Sequence, residues 1–377
     1  MEHSWTELSP AVLGDNIMRV RAALTPGSEI IFVVKADAYG HGMIPVCSCA
    51  IERGVKLFAV AHVDEAVRFA DRFPGIRIFI LGVLRGNAVA EAAARGIVPM
   101  VVSEEHGLEL AAEASSKSLV LECHVKIDTG MGRLGFLWDK AVGAIEVLSR
   151  TRGLKITGIC THLASSGDPD GSYSRTQVER FLGVIEDCLK RGITFQMRHV
   201  SNSGGFQGMP GCDYEAVRCG IELYGYGSRS AGARVNTLPF LQWKSTIAQV
   251  RTVPAGFRVG YGSTYTTSRE TNLATIDIGY ADGYCRLLGN KAQVLVGGRR
   301  VPVVGRVSMN LITVDLGTAA NEGRGEEVVM LGRQRNESIW ADEIAQWCGT
   351  IPYEVLTSIR TNASYFVDAD GRRLRMQ

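Results

Sequence analysis

Ile31-Phe-Val-Val-Lys-Ala-Asp-Ala-Tyr-Gly-His-Gly42 is an apolar run that ends on a lysine and then breaks into a glycine-punctuated turn. Consecutive apolar residues of strand-forming type suit a strand covered on both faces, as in a parallel sheet. Such a strand delivers Lys35 to its mouth, where the amine faces a cavity, a partner or solvent. In a desolvated site the ammonium is disfavoured, and a lowered pKa makes the amine reactive near neutral pH. In solvent it is an ordinary strand-end lysine. Asp37, Tyr39 and His41 alternate beyond it, and Gly40 and Gly42 let the backbone come close to a ligand.

Outward from this strand the pattern repeats. Strand-like runs at 57–60, 76–81, 98–102, 119–127, 154–160 and 194–200 are separated by helical stretches at 65–73, 88–95, 105–114, 140–148 and 172–190. Strand and helix alternating at this spacing predict a parallel (β/α)8 TIM-like barrel. An open doubly wound sheet is the alternative, and no GxGxxG follows the first strand to support a dinucleotide site. Upstream, residues 5–24 read as a short polar strand and an amphipathic helix with Ala11, Leu13, Ile17, Val20 and Leu24 on its apolar face. After about residue 230 the texture turns to short β runs with glycine turns. The expected division is a barrel over 1–230 and a mainly β domain over 231–377, with the first ten or so residues packing with the latter. One late helix, 340–347, is expected to start from Ser338 as N-cap and stop at Gly349.

Composition narrows the partners. The 41 lysines and arginines nearly balance 39 acids, without a long block of one sign, which favours neither nucleic acid nor an anionic membrane. The ligand is expected to be small. Residues 1–25 lack the apolar core of a signal peptide and no stretch reaches membrane-span length, so the expectation is a soluble, cytoplasmic protein. The nine cysteines are scattered without a CxxC pair, which fits free thiols and no metal site.

Barrel enzymes place their chemistry at the carboxyl ends of the strands, often with phosphate near strands seven and eight. There the sequence offers His199-Val-Ser-Asn-Ser-Gly-Gly205, whose glycines can expose N–H groups to an anion, and then Arg218-Cys-Gly-Ile-Glu-Leu-Tyr-Gly225. Strand five runs into Lys126-Ile-Asp-Thr-Gly-Met-Gly-Arg-Leu-Gly135, and strand six into CTHLASS with His162. In the β region, Val259-Gly-Tyr-Gly-Ser-Thr-Tyr265 and Ile278-Gly-Tyr-Ala-Asp-Gly-Tyr284 set tyrosines between glycines, free to project into a cleft.

From about residue 5 to residue 356 these strings resemble the alanine racemase family, VVKADAYGHG most closely. The resemblance implies a pyridoxal 5'-phosphate (PLP) enzyme that racemises an amino acid as a homodimer with shared active sites. Lys35 then carries the cofactor and acts as the base for the D-enantiomer, and Tyr261 acts as the base for the L-enantiomer, reaching the partner subunit. An ordinary phenol with a pKa of about 10 needs nearby positive charge for that role. Arg218 matches the donor to the pyridine nitrogen, backed by His199, with His162 packed on the ring face. Tyr39, Ser203, Gly220 and Ile221 match phosphate contacts. Arg133 matches the substrate-side arginine, Met309 in Gly305-Arg-Val-Ser-Met-Asn-Leu311 a substrate contact, and Tyr280 the entrance. Lys126 stands at the position often carbamylated.

Two places depart from the family pattern. Asn310 stands where aspartate is common, and Arg360-Thr-Asn-Ala-Ser-Tyr365 replaces an Arg-Val-Pro-Arg ending. Thr361 or Asn362 is expected where some members place a phosphate-contacting tyrosine, which would enlarge the pocket for a hydroxymethyl side chain. Alternatives are therefore a serine or broad-specificity racemase, a related PLP decarboxylase, which the Tyr261 and Met309 strings disfavour, and a non-catalytic PLP carrier, which the residues after 230 disfavour.

Overall fold

The computed structural model describes residues 2–168, 170–227, 232–361, 363–368 and 370–376. Two compact units emerge, one formed by 14–38 and 42–237, the other by 1–13, 39–41 and 238–377. The expected boundary at 230/231 lies outside the described residues.

In the first unit eight parallel strands lie side by side: Glu29–Val33, Leu57–Val60, Arg77–Ile80, Val98–Val101, Leu121–Asp128, Leu154–Cys160, Met197–His199 and Ala216–Cys219. The eighth pairs with the first in register, Arg218 opposite Ile31. At the seam between seventh and eighth, Arg218 N–H donates to Ser201 O at 3.0 Å, leaving a nearly closed barrel. Helices Met43–Glu52, Val63–Arg72, Val89–Ala94, Glu104–Ser116, Ala141–Ser149, Ser172–Lys190 and Ser203–Gly208 fill the connections. The first strand is covered on both faces as its composition requires: Ile31, Phe32 and Val34 are fully buried, and Phe32 meets the Phe58 and Tyr224 rings at 6.2 and 5.4 Å. The seventh strand is only three residues long, shorter than the expected run over 194–200.

The second unit is built on a ten-stranded sheet. Its long strand Leu241–Val253 pairs antiparallel with Ser4–Leu8, Thr271–Ile276 and Glu327–Gln334. All five residues of Ser4–Leu8 are buried, although the sequence reads as polar. Partners make this affordable: Thr6 and Ser364 hydroxyls meet at 2.7 Å, and Glu7 pairs with Lys244 at 2.9 Å. The late helix runs Ala341–Cys348 with Trp340, not Ser338, at its N-cap; Ser338 lies in the strand Glu337–Ile339, and Gly349 ends the helix in a left-handed turn. A second late helix, Pro352–Ser358, opens with proline in its first turn. Ala11 is exposed, so the face of the helix Pro10–Ala23 begins at Leu13. No described helix is long and apolar enough to cross a membrane.

Candidate active site

The first barrel strand hands over to an unusual turn. Ala36, Asp37, Ala38 and Tyr39 all have φ between 52° and 54°, one turn of left-handed helix made without glycine. Each such residue costs about 1–2 kcal/mol, so the turn persists only because its neighbours over-determine it. Ala38 N–H donates to Val34 O and Gly42 N–H to Asp37 O, both at 2.9 Å. The Asp37 carboxylate accepts from Met43 N–H at 2.9 Å, and the Glu65 carboxylate accepts from Ala36 N–H at 2.6 Å. Lys35, at the start of this turn, is half-buried. Burial pushes its pKa down and the charge of Arg133 adds to this, with Glu65 acting the other way. The desolvated option therefore holds for Lys35.

Strand five supplies an inward row. His124, Lys126 and Asp128 alternate along it and all are buried. The ladder sets Lys126 opposite Cys160 and Cys160 opposite His199. Burial lowers the Lys126 pKa, with Arg218 and Arg133 helping and Cys160 and Asp128 opposing. Asp128 organises the loop beyond. One of its oxygens accepts from the N–H groups of Gly130, Met131 and Gly132 at 2.9, 2.9 and 3.1 Å, and the other from Arg133 N–H at 3.0 Å. Burial raises its pKa, but these four donors outweigh it and leave the carboxyl below its ordinary value.

Asp128→Ala should therefore cost about 2 kcal/mol of stability at pH 7, the scale of a few hydrogen bonds to a charged acceptor. With a folded-state pKa below the unfolded one, the contribution is present above about pH 4 and lost as pH falls through the folded value. Denaturant unfolding at pH 7 and pH 3 checks this. A deficit equally large in acid would mean that the carboxylate charge is not what holds the loop.

Arg218 is buried at the barrel seam. Nη1 donates to His199 O at 2.6 Å and to His199 Nδ1 at 2.9 Å. Nη2 donates to Thr161 O at 2.7 Å and Val200 O at 2.8 Å, with His162 Nδ1 at 3.3 Å. Nε alone has no acceptor among the described residues and is not a buried atom, so this one N–H of the guanidinium is open to a ligand. Because guanidinium can only donate, His199 Nδ1 is an acceptor and its Nε2 carries the hydrogen, donated to His124 Nδ1 at 2.9 Å. Burial first, then Arg218, holds His199 well below the ordinary histidine range and His162 down to about 2; His124 falls to about 3 by burial, then Arg77. All three rings are neutral at any working pH.

Near the same seam Ser203 Oγ accepts from Gly220 N–H at 3.1 Å and Glu222 N–H at 3.3 Å. The buried Ile221 N–H has no acceptor among the described residues. Four cations (Lys35, Lys126, Arg133 and Arg218) act on one another or on His162 across this end of the barrel. Such a basin suits a small anion and a substrate carboxylate.

The β unit gathers its own candidates on one segment, Gly305–Leu311. Tyr280 N–H donates to Ser308 O at 3.1 Å and Ala281 N–H to Met309 O at 2.9 Å. The approach is so close that a Cβ on Gly279 would lie 2.2 Å from Met309 O, which only glycine permits. Tyr261 sits between Gly260 (φ 69°) and Gly262 (φ 73°), and Gly262 lies against the Arg306 guanidinium. Tyr261 is 71% exposed, Met309 56% and Tyr280 43%. Tyr39 packs on Tyr353 of the helix Pro352–Ser358, ring centroids 5.7 Å apart. Thr361 Oγ1 donates to Ala363 O at 3.1 Å, and Asn362 lies outside the described residues. Asn310 is exposed beside Met309.

Sequence reasoning passed over Glu65, Asp128 and His124. Only an inward-facing position on a strand or a cap-like spacing marked them. No group of three or more His, Cys, Asp or Glu residues disposed to hold a metal occurs among the described residues.

Two family models cover most of the chain, the alanine racemase N-terminal domain over 9–228 and the alanine racemase C-terminal domain over 240–366. An alanine racemase of Syntrophobacter fumaroxidans is 40% identical over 365 residues, 96% of each chain. Among solved structures, alanine racemase from Bacillus anthracis with bound L-Ala-P superposes with a TM-score of 0.91 at 31% identity, covering 99% of this chain and 97% of that one. Alanine racemase from Bartonella henselae with covalently bound pyridoxal phosphate gives 0.87 at 27% identity, over 98% of this chain and 100% of that one.

Proposed function

The chain belongs to the alanine racemase family, and we propose that it interconverts L- and D-alanine by passing the Cα proton between two bases, Lys35 and Tyr261. The observation that carries this reading is the desolvated Lys35 amine, facing Arg133, at the end of the first barrel strand.

The family is PLP-dependent, and the residues fit that cofactor. Arg218 Nε would donate to the ring nitrogen, with His199 backing the guanidinium, and neutral His162 would lie on the ring face. Ser203, Gly220 and Ile221 would receive the phosphate; Tyr39 is assigned to it by its motif. When bound, the cofactor withdraws electrons from the substrate's Cα and so acidifies its proton. Arg218 cannot give up its proton. As a donor only, Arg218 would leave the ring nitrogen unprotonated and the withdrawal moderate, which would suit proton exchange over bond cleavage.

Lys35 would serve the D-enantiomer and Tyr261 the L-enantiomer, each from its own face of Cα. Arg133 would take the substrate carboxylate; Met309 and Tyr280 are assigned to substrate contact and entrance by their motifs. Lys126, buried and held toward its neutral amine, would add its nitrogen to the carbon of carbon dioxide and release one proton to solvent, and the anionic carbamate would pair with Arg133. A base must be shielded from water, yet Tyr261 is 71% exposed on the single chain. Its cover would come from homodimerisation, Tyr261 of the partner subunit completing the site. The nine cysteines form no disulfide, which supports a cytoplasmic setting, and racemisation there would supply D-alanine for peptidoglycan precursors.

L-Alanine and L-serine racemised side by side by the PLP-loaded protein test the substrate. Alanine should turn over at least roughly tenfold faster, the scale set by a small side-chain difference in a fitted pocket. Serine at an equal or higher rate would shift the reading to a serine or broad-specificity racemase, with exposed Asn310 the first residue to exchange.

A further inference from the structure

Glu65 lies in the first turn of the helix Val63–Arg72, and part of what its carboxylate does is ordinary capping. Oε2 accepts from Ala61 N–H at 3.0 Å and His62 N–H at 3.2 Å, the latter being the N-cap residue. The remaining bond has no place in a helix cap. Oε1 reaches back 29 residues to accept from Ala36 N–H at 2.6 Å. One carboxylate thus ties together the carboxyl ends of two neighbouring barrel strands, Glu29–Val33 and Leu57–Val60. It does so at the residue where the backbone enters the left-handed turn.

We propose that Glu65 is a positioning residue for Lys35: its bond to Ala36 N–H fixes the strained turn, and with it the direction in which Lys35 leaves the strand, while its charge faces the lysine amine. This rests on the reading of Lys35 as the cofactor-binding base. A neutral amide could not substitute. It offers one acceptor oxygen where the structure uses two, and it would turn an NH2 group toward either Ala36 N–H or the pair at Ala61 and His62.

The charged or titratable groups around Lys35 come from three elements. Arg133, on the loop after strand five, opposes its ammonium form, and Glu65, on the helix after strand two, favours it. His162, after strand six, is neutral. Removing the Glu65 charge leaves burial and Arg133 unopposed, so the amine should titrate lower. A residue that only capped its helix would do none of this. Its loss would lower stability and leave the lysine unchanged.

The test is the acetylation rate of Lys35 in the full-length apo-protein against pH, read by peptide mass, together with the rate of PLP loss from the loaded protein. Glu65→Gln should move the Lys35 midpoint down by roughly half to one pH unit, the size of one nearby charge, and speed PLP loss by about tenfold. Glu65→Asp keeps the charge but is too short to bridge both strand ends. It should leave the midpoint near its original value while still releasing PLP faster, and it serves if the glutamine variant does not fold. An unmoved midpoint and unchanged PLP retention in Glu65→Gln, with only a lower melting temperature, would overturn the proposal. Borohydride trapping in the unaltered protein separates the two levels. PLP fixed at a residue other than Lys35 defeats the reading of Lys35 itself; PLP fixed at Lys35 with an indifferent Glu65→Gln defeats the role of Glu65 alone.

Discussion

Lys35→Ala should abolish alanine racemisation in both directions, by on the order of 10⁴-fold or more, as for loss of a nucleophile that acts as one unit with its neighbours. Lys35 is the half-buried amine at the end of the first barrel strand, and burial together with Arg133 keeps it closer to its neutral form than a solvated lysine. Lys126, the other buried amine in this end of the barrel, sits on strand five opposite Cys160 and cannot be reached by extending the first strand. The variant should also lose the covalent link to PLP that borohydride fixes. Trapping of PLP at undiminished stoichiometry in Lys35→Ala would place the anchor elsewhere. Folding is a separate matter: alanine keeps the backbone and costs no buried contact of comparable size, so the melting temperature should change little.

Tyr261→Phe should cut turnover of L-alanine by about 10²- to 10⁴-fold, the usual worth of one general base, while leaving PLP bound. The substitution removes a single oxygen from a side chain that is 71% exposed on the chain alone and flanked by two glycines at positive φ. Neither the β unit nor the barrel loses a packed group. The effect should therefore be confined to the proton transferred on the face opposite Lys35. In heavy water, D-alanine should still exchange its Cα proton through Lys35 even as racemisation stops. Undiminished L-alanine turnover would remove Tyr261 from the mechanism.

What could be read from the sequence, and what could not, divides along the range of the interactions. The barrel announces itself because each strand's apolar run and each helix's period are local patterns, and Lys35 stands out because a charge ending such a run has few places to go. The left-handed turn that follows gives no local sign. Ala36, Asp37 and Ala38 have no intrinsic preference for positive φ, and what holds them there includes Glu65, 29 residues further on. His124 is equally silent in sequence: a histidine on a strand gains meaning only when the register sets its ring against His199, 2.9 Å away. Ser4–Leu8 reads as polar yet is buried, because the Thr6 hydroxyl and the Glu7 carboxylate find partners on strands more than 230 residues away. The packing of Tyr353 on Tyr39 is silent as well, because the helix Pro352–Ser358 that carries Tyr353 has only seven residues, too short for periodicity to reveal.

Two bases on opposite faces have a signature that one base cannot imitate, and it appears in the first turnovers. L-alanine should be incubated in heavy water with the PLP-loaded protein, and the Cα isotope content of both enantiomers followed from the earliest times. With Lys35 and Tyr261 acting as separate bases, the D-alanine formed should carry deuterium at Cα from the outset while the remaining L-alanine stays largely protiated. D-alanine appearing with its original proton would mean that a single group carries the proton across, and would contradict the two-base account.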